Sequence, residues 1–203
     1  MLALEVLLPD LIKRDIAATA DMALELESWA SREQVLLRIA DAWAGTDAQA
    51  AFDWSHRLPQ SEERKNCRAA ICRKLALSDP ARAVALSESF PDEGQGPLLA
   101  SLTSLWMARD SAAATAWISA QKSPDLRDLC WQVGVSELAK KSPEQAANLA
   151  VDHIASETLQ AEAVISVLHQ WILRDRKAAA EWVDLFPAGP LRTRAEGELK
   201  GTH

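Results

Sequence analysis

At 203 residues the chain can form one large domain or two small ones, and its composition, 48% apolar and 25% charged, is that of an ordinary folded chain with a substantial core. The net charge of −7 excludes, as expected partners, nucleic acid and anionic membrane surfaces, both of which need a basic face. Three cysteines, Cys67, Cys72 and Cys130, form no metal-type spacing and are an odd number, so the expected compartment is reducing and cytoplasmic, without a disulfide framework.

The chain opens on an apolar but short stretch, Met1–Asp10. It carries Glu5 and lacks both basic residues ahead of the apolar run and a small-residue cleavage site, so it predicts a helix rather than a signal peptide, interrupted at Pro9. No stretch reaches the roughly 18 apolar residues of a membrane span.

From here a pattern returns: Trp-x-x-x-Asp-x-x-x-Ala-x-x-Trp. It is complete as Trp43, Asp47, Ala51, Trp54, as Trp106, Asp110, Ala114, Trp117, and as Trp171, Asp175, Ala179, Trp182. Degenerate copies read Leu11, Asp15, Thr19, Met22; Leu75, Asp79, Ala83, Leu86; and Leu138, Ser142, Ala146, Leu149. With the Asp or Ser as position 0, the anchors at 15, 47, 79, 110, 142 and 175 are separated by 31 to 33 residues. A proline recurs at +12 as Pro59, Pro91 and Pro187, and the surplus of eight tryptophans is mostly this motif, with Trp29 and Trp131 left over.

Each part has a physical reason. The anchor is a helix N-cap whose side-chain oxygen accepts from a free backbone N–H. Pro80 and Pro143 stand at the first helical position, where a missing N–H costs nothing, and Ser142 with Gln145 fits a capping box. Positions −4, −8 and −11 read Trp43, Ile39, Leu36, then Trp106, Leu102, Leu99, then Trp171, Val167, Val164, the apolar stripe of an amphipathic helix A. The shorter helix B after the anchor carries Ala at +4, Trp or Leu at +7, and Leu58, Phe90 and Phe186 at +11. New helix-A starts are marked by Ser31 with Gln34, Ser123 before Pro124 and Gly189 before Pro190.

One such pair cannot bury its own apolar faces, so the pairs must stack. The expectation is a single domain over 1–203, with repeats at about 1–30, 31–60, 61–92, 93–122, 123–155 and 156–188, closed by a capping helix in 189–203. These residues resemble a tetratricopeptide-like α-solenoid. The usual tetratricopeptide period is 34 with tyrosine in the first helix; this chain has a period near 32 and no tyrosine, and HEAT repeats, being longer, fit less well. The Trp-Asp-Ala-Trp unit is similar to repeats of uncharacterised bacterial proteins. The resemblance implies an all-α, right-handed superhelix of about six helical hairpins with helix A on the concave side, and it names no activity.

Catalytic patterns are missing. The glycines form no phosphate loop, Asp92–Gly96 reads as a connector, and His56, His153, His169 and His203 make no helical metal pair. Cys67 and Cys130 share position −12 and read as small core residues, the tryptophans as packing rather than a ligand cage, and Glu62, Glu63, Asp92 and Glu93 as exposed helix-start charges. No cofactor, metal or catalytic residue is expected.

What remains is the non-core face of helix A. Position −6 reads Asp41, Arg73, Ser104, Ser136 and His169, and position −9 reads Arg38, Ala70, Ser101, Val133 and Ser166. As a ladder along a concave groove, Arg38, Asp41, Arg73, Ser101, Ser104, Ser136, Ser166 and His169 are the candidate partner-binding residues; otherwise they form a solvated helix face. The expected function is a non-enzymatic scaffold or adaptor for a protein or peptide, itself a monomer or weak oligomer. The alternatives are a helical-repeat enzyme such as a HEAT-like DNA glycosylase, disfavoured by the acidic charge, and a structural module of a larger assembly.

Overall fold

The computed structural model describes residues 2–26, 32–89 and 95–201, and among them every regular element is an α-helix. Trp29, the Ser31 cap, Phe90, Pro91 and Asp92–Gly94 lie outside the described residues, whereas Gln95 and Gly96, expected in a connector, already belong to a helix. In order the helices are α1 (Leu2–Arg14), α2 (Ile16–Leu24), α3 (Arg32–Ala44), α4 (Ala48–Ser55), α5 (Ser61–Ala76), α6 (Pro80–Glu88) and α7 (Gln95–Arg109). They continue as α8 (Ser111–Ser119), α9 (Pro124–Ala139), α10 (Pro143–His153), α11 (Glu157–Arg174), α12 (Arg176–Asp184) and α13 (Pro190–Gly201).

The anchors act as the caps their chemistry suggests. Asp15, Asp47, Asp79, Asp110 and Asp175 each accept a hydrogen bond at 3.0 Å from the backbone N–H three residues on. At Asp15, Asp110 and Asp175 the anchor is the single residue between two helices, so one residue with extended φ ends helix A and starts helix B. Ser142 departs from the expected capping box and makes no side-chain cap bond. Serine followed by proline does not by itself prevent the bond, since Ser123 before Pro124 accepts from the Leu126 N–H at 3.4 Å. Pro9 does not interrupt α1, which runs through it; the price is one missing bond to the carbonyl four residues earlier.

The chain forms two compact units, Met1–Leu98 and Leu99–His203. In the first, α3 packs on α4 and α5, α5 on α4 and α6, and α2 on α1 and α3. Leu36 and Ile39 of α3, Ile71 of α5, and the +4 alanines Ala51 and Ala83 are fully buried. The Trp54 indole N–H, also buried, donates to the Ala20 carbonyl at 3.2 Å, so its polar edge is satisfied inside the core. Glu63 is not the exposed helix-start charge expected: it is buried in an ion pair with Arg32 at 3.2 Å, while Glu62 is exposed. Arg68 occupies stripe position −11, where other copies carry Leu, Val or Trp. It is buried over the Phe52 ring, 5.3 Å from its centroid, and its Nε donates to the Ser55 hydroxyl.

In the second unit α9 packs on α8, α10 and α11, and α11 on α10, α12 and α13. Ala114, Ile118, Trp131, Val135, Ala146 and Val167 share one core, and Leu168, Ala179, Val183 and Ala195 form a second beneath α13. Trp131 thus holds stripe position −11 rather than standing outside the motif, with its ring stacked on His153 at 4.6 Å. Gly134 holds position −8; a Cβ there would come within 3.0 Å of Met107 Cε, so its bareness admits the α7 side chain. The motif tryptophans pair across the helix A–helix B seam, Trp106 with Trp117 at 6.2 Å and Trp171 with Trp182 at 5.3 Å, as Trp43 and Trp54 do at 6.1 Å in the first unit.

A further regularity has no counterpart in the motif. An arginine at +17, in the first turn of the next helix A, donates to the carbonyl six residues back: Arg32 to Leu26, Arg64 to Leu58 and Arg192 to Phe186, at 2.7 to 3.0 Å. Gln160 makes the equivalent bond to Ile154. These clasps satisfy carbonyls left open where helix B ends.

Candidate binding groove

In the first unit, helices α1, α3 and α5 frame a groove of about 580 Å³. Its walls are Pro9, Ile12 and Lys13 from α1, Leu37, Arg38, Asp41 and Ala42 from α3, and Ala70 and Arg73 from α5. Three of the candidate ladder residues therefore meet here, Arg38, Asp41 and Arg73, together with Ala70 at position −9 beside Arg73, so the −9 and −6 positions of two successive copies line one groove. Arg38, Asp41 and Arg73 are exposed, because the buried residues flanking them, Leu36, Ile39, Ile71 and Cys72, take the inward face. Asp41 accepts from Lys74 Nζ at 3.2 Å, an ion pair that α3 and α5 form across their contact. Among the described residues Lys13, Arg38 and Arg73 make no ion pair.

The rest of the ladder is not part of this groove. Ser101 is exposed and Ser104 half-buried on α7. Ser136 on α9 turns its hydroxyl back onto the Gln132 carbonyl at 2.8 Å, which occupies its donor. On α11 Ser166 is half-buried, and His169 Nε2 contacts Glu198 of α13 at 2.9 Å. That contact, together with the bidentate pair from Arg194 to Glu162, ties α13 along α11. The Arg194 guanidinium holds the Glu162 carboxyl below its ordinary range.

Pro9, Ile12 and Lys13 were absent from the sequence ladder. Continuing the same register into the first copy would have reached Pro9, which is position −6 from Asp15. Lys13 lies off both positions and enters the groove through the packing of α1 on α3.

Two other cavities lie in the second unit. One, about 530 Å³, is lined by Ser119, Arg127, Trp131, Asp152 and His153 among others; the other, about 600 Å³, lies over the starts of α10 and α12 beside Trp171. Arg127 holds the clasp position, makes no carbonyl bond among the described residues, and lines the first of these.

The thiols are buried and held neutral. Burial pushes Cys67 and Cys72 up to about 12 and Cys130 to about 11, the nearby Glu63 and Glu33 adding to the rise at Cys67 and a Thr103 contact opposing it at Cys130. Among the described residues no group of three His, Cys, Asp or Glu side chains could hold a metal ion, and no helix is long and apolar enough to cross a membrane. Comparison of the chain with protein-family models, with curated proteins and with solved structures gives no match.

Proposed function

We propose that this chain is a tetratricopeptide-like helical-repeat protein that binds a segment of another polypeptide along the helix-A face, acting as a non-enzymatic adaptor. The observation that carries the reading is the groove itself. Side chains from matched repeat positions of α3 and α5, chosen for lying off the apolar stripe, line one 580 Å³ concavity with α1. Mixed apolar and charged walls of this kind suit a peptide, which offers side chains and backbone groups together. The solenoid part of the proposal is supported by the even spacing of capped helix starts and by packing between neighbouring hairpins within each unit.

The test is affinity capture with the full chain against the double charge reversal Arg38→Glu and Arg73→Glu. Both residues are exposed, so the fold is expected to stand, checked by an unchanged thermal melt. Partners retained by the native chain should be lost from the variant. An identical set of partners in both would refute the groove as the binding face.

A further inference from the structure

We propose that the segment received by the α1–α3–α5 groove is acidic, with carboxylates flanking an apolar side chain. This rests on the binding reading above and adds the charge and pattern of the ligand. Lys13, Arg38 and Arg73 converge on the groove without a carboxylate partner among the described residues, while its one acidic wall residue, Asp41, is already engaged by Lys74 at 3.2 Å. The groove is thus locally cationic on a chain whose net charge is −7.

Lysines and arginines gather at helix C-termini for the dipole alone, and that accounts for Lys13 and Arg73, in the last turns of α1 and α5. It does not account for Arg38, which stands in the middle of α3 and gains nothing from either helix end. An exposed guanidinium held beside two other unpaired cations raises the local potential, which a carboxylate-bearing ligand would relieve. Ile12, Leu37 and Ala70 supply an apolar wall between the charges, which a bare phosphate would leave uncovered. Nucleic acid needs a basic track longer than three side chains, and the acidic remainder of the chain would repel it.

The experiment is selection of displayed random decapeptides against the full chain and against Arg38→Gln/Arg73→Gln. Winners from the native chain should place Asp or Glu around an apolar residue. Resynthesised, they should bind the double variant about tenfold more weakly, lose affinity with added salt, and bind Asp41→Asn more tightly. Neutral or basic winners, equal binding to the variant, or no enrichment would each overturn the proposal. So would an anionic vesicle or a single-stranded oligonucleotide that binds through Arg38 and Arg73 more tightly than any winner. Neutral winners displaced by Ala70→Trp would overturn the charge assignment and leave the groove as a peptide site; winners indifferent to Ala70→Trp would sink both.

Discussion

At the scale of single residues, the anchor position separates two ways of starting a helix. Asp79 caps α6 through its carboxylate, and Asp79→Ala should cost about 1 kcal/mol. Ser142 contributes no such bond, so Ser142→Ala should stay within about 0.5 kcal/mol, the range of ordinary surface substitutions. Urea denaturation of the two variants compares them directly, and equal losses would contradict the cap geometry. The caps were legible in the sequence because a cap is a local event, decided within four residues. Arg68 and Glu63 were not legible. Each is a charge placed inside by a partner, Phe52 and Ser55 for one and Arg32 for the other, that stands in a neighbouring helix. A single-residue pattern scores such positions as exposed.

At the scale of helices, the seam between helix A and helix B is carried by the +4 alanine and the tryptophan pair. Ala114 is fully buried, and Trp106 and Trp117 meet beside it with their planes tilted by 42°. Trp106→Ala should therefore cost about 3 kcal/mol, the lower end for an aromatic truncation because the ring is only half-buried. A near-zero loss on chemical denaturation would favour a ligand cage over packing. The helix register was readable from the sequence because apolar residues repeat at helical spacing in most copies, with Arg68 and Gly134 the interruptions. The course of α1 through Pro9 was not, since proline forbids a hydrogen bond without forbidding the helix, and packing on α3 decides the outcome. A third of the candidate groove was readable for the same reason as the stripe: Arg38, Asp41 and Arg73 are its complement on α3 and α5. Lys13 depended on a contact between helices that no periodicity encodes.

At the scale of the molecule, the three neutral thiols are distributed over both units, Cys67 and Cys72 in one and Cys130 in the other. Their folded values, about 12 for two and about 11 for the third, lie above the ordinary 9.0 of an unfolded thiol. The unfolded chain therefore loses thiol protons first as pH rises. The stability tied to these groups is complete below pH 9 and declines from there towards 11 to 12. The urea midpoint should fall across that window in the native chain and less steeply in a Cys→Ala triple variant. Alkylation at pH 8 should be slow until denaturant is added; rapid labelling of the folded chain would contradict the burial.

The arginine clasps bear on how the chain tolerates change of length. A side chain anchored in one helix and bonded to a main-chain oxygen six residues earlier measures out the junction, as a ruler would. One extra glycine after Pro59 should break that measure and lower the melting temperature, whereas the same insertion after Lys122, where Arg127 makes no such bond among the described residues, should be absorbed. Natural variation in loop length is therefore expected to concentrate at the unclasped junction, close to the cavity that Arg127 lines.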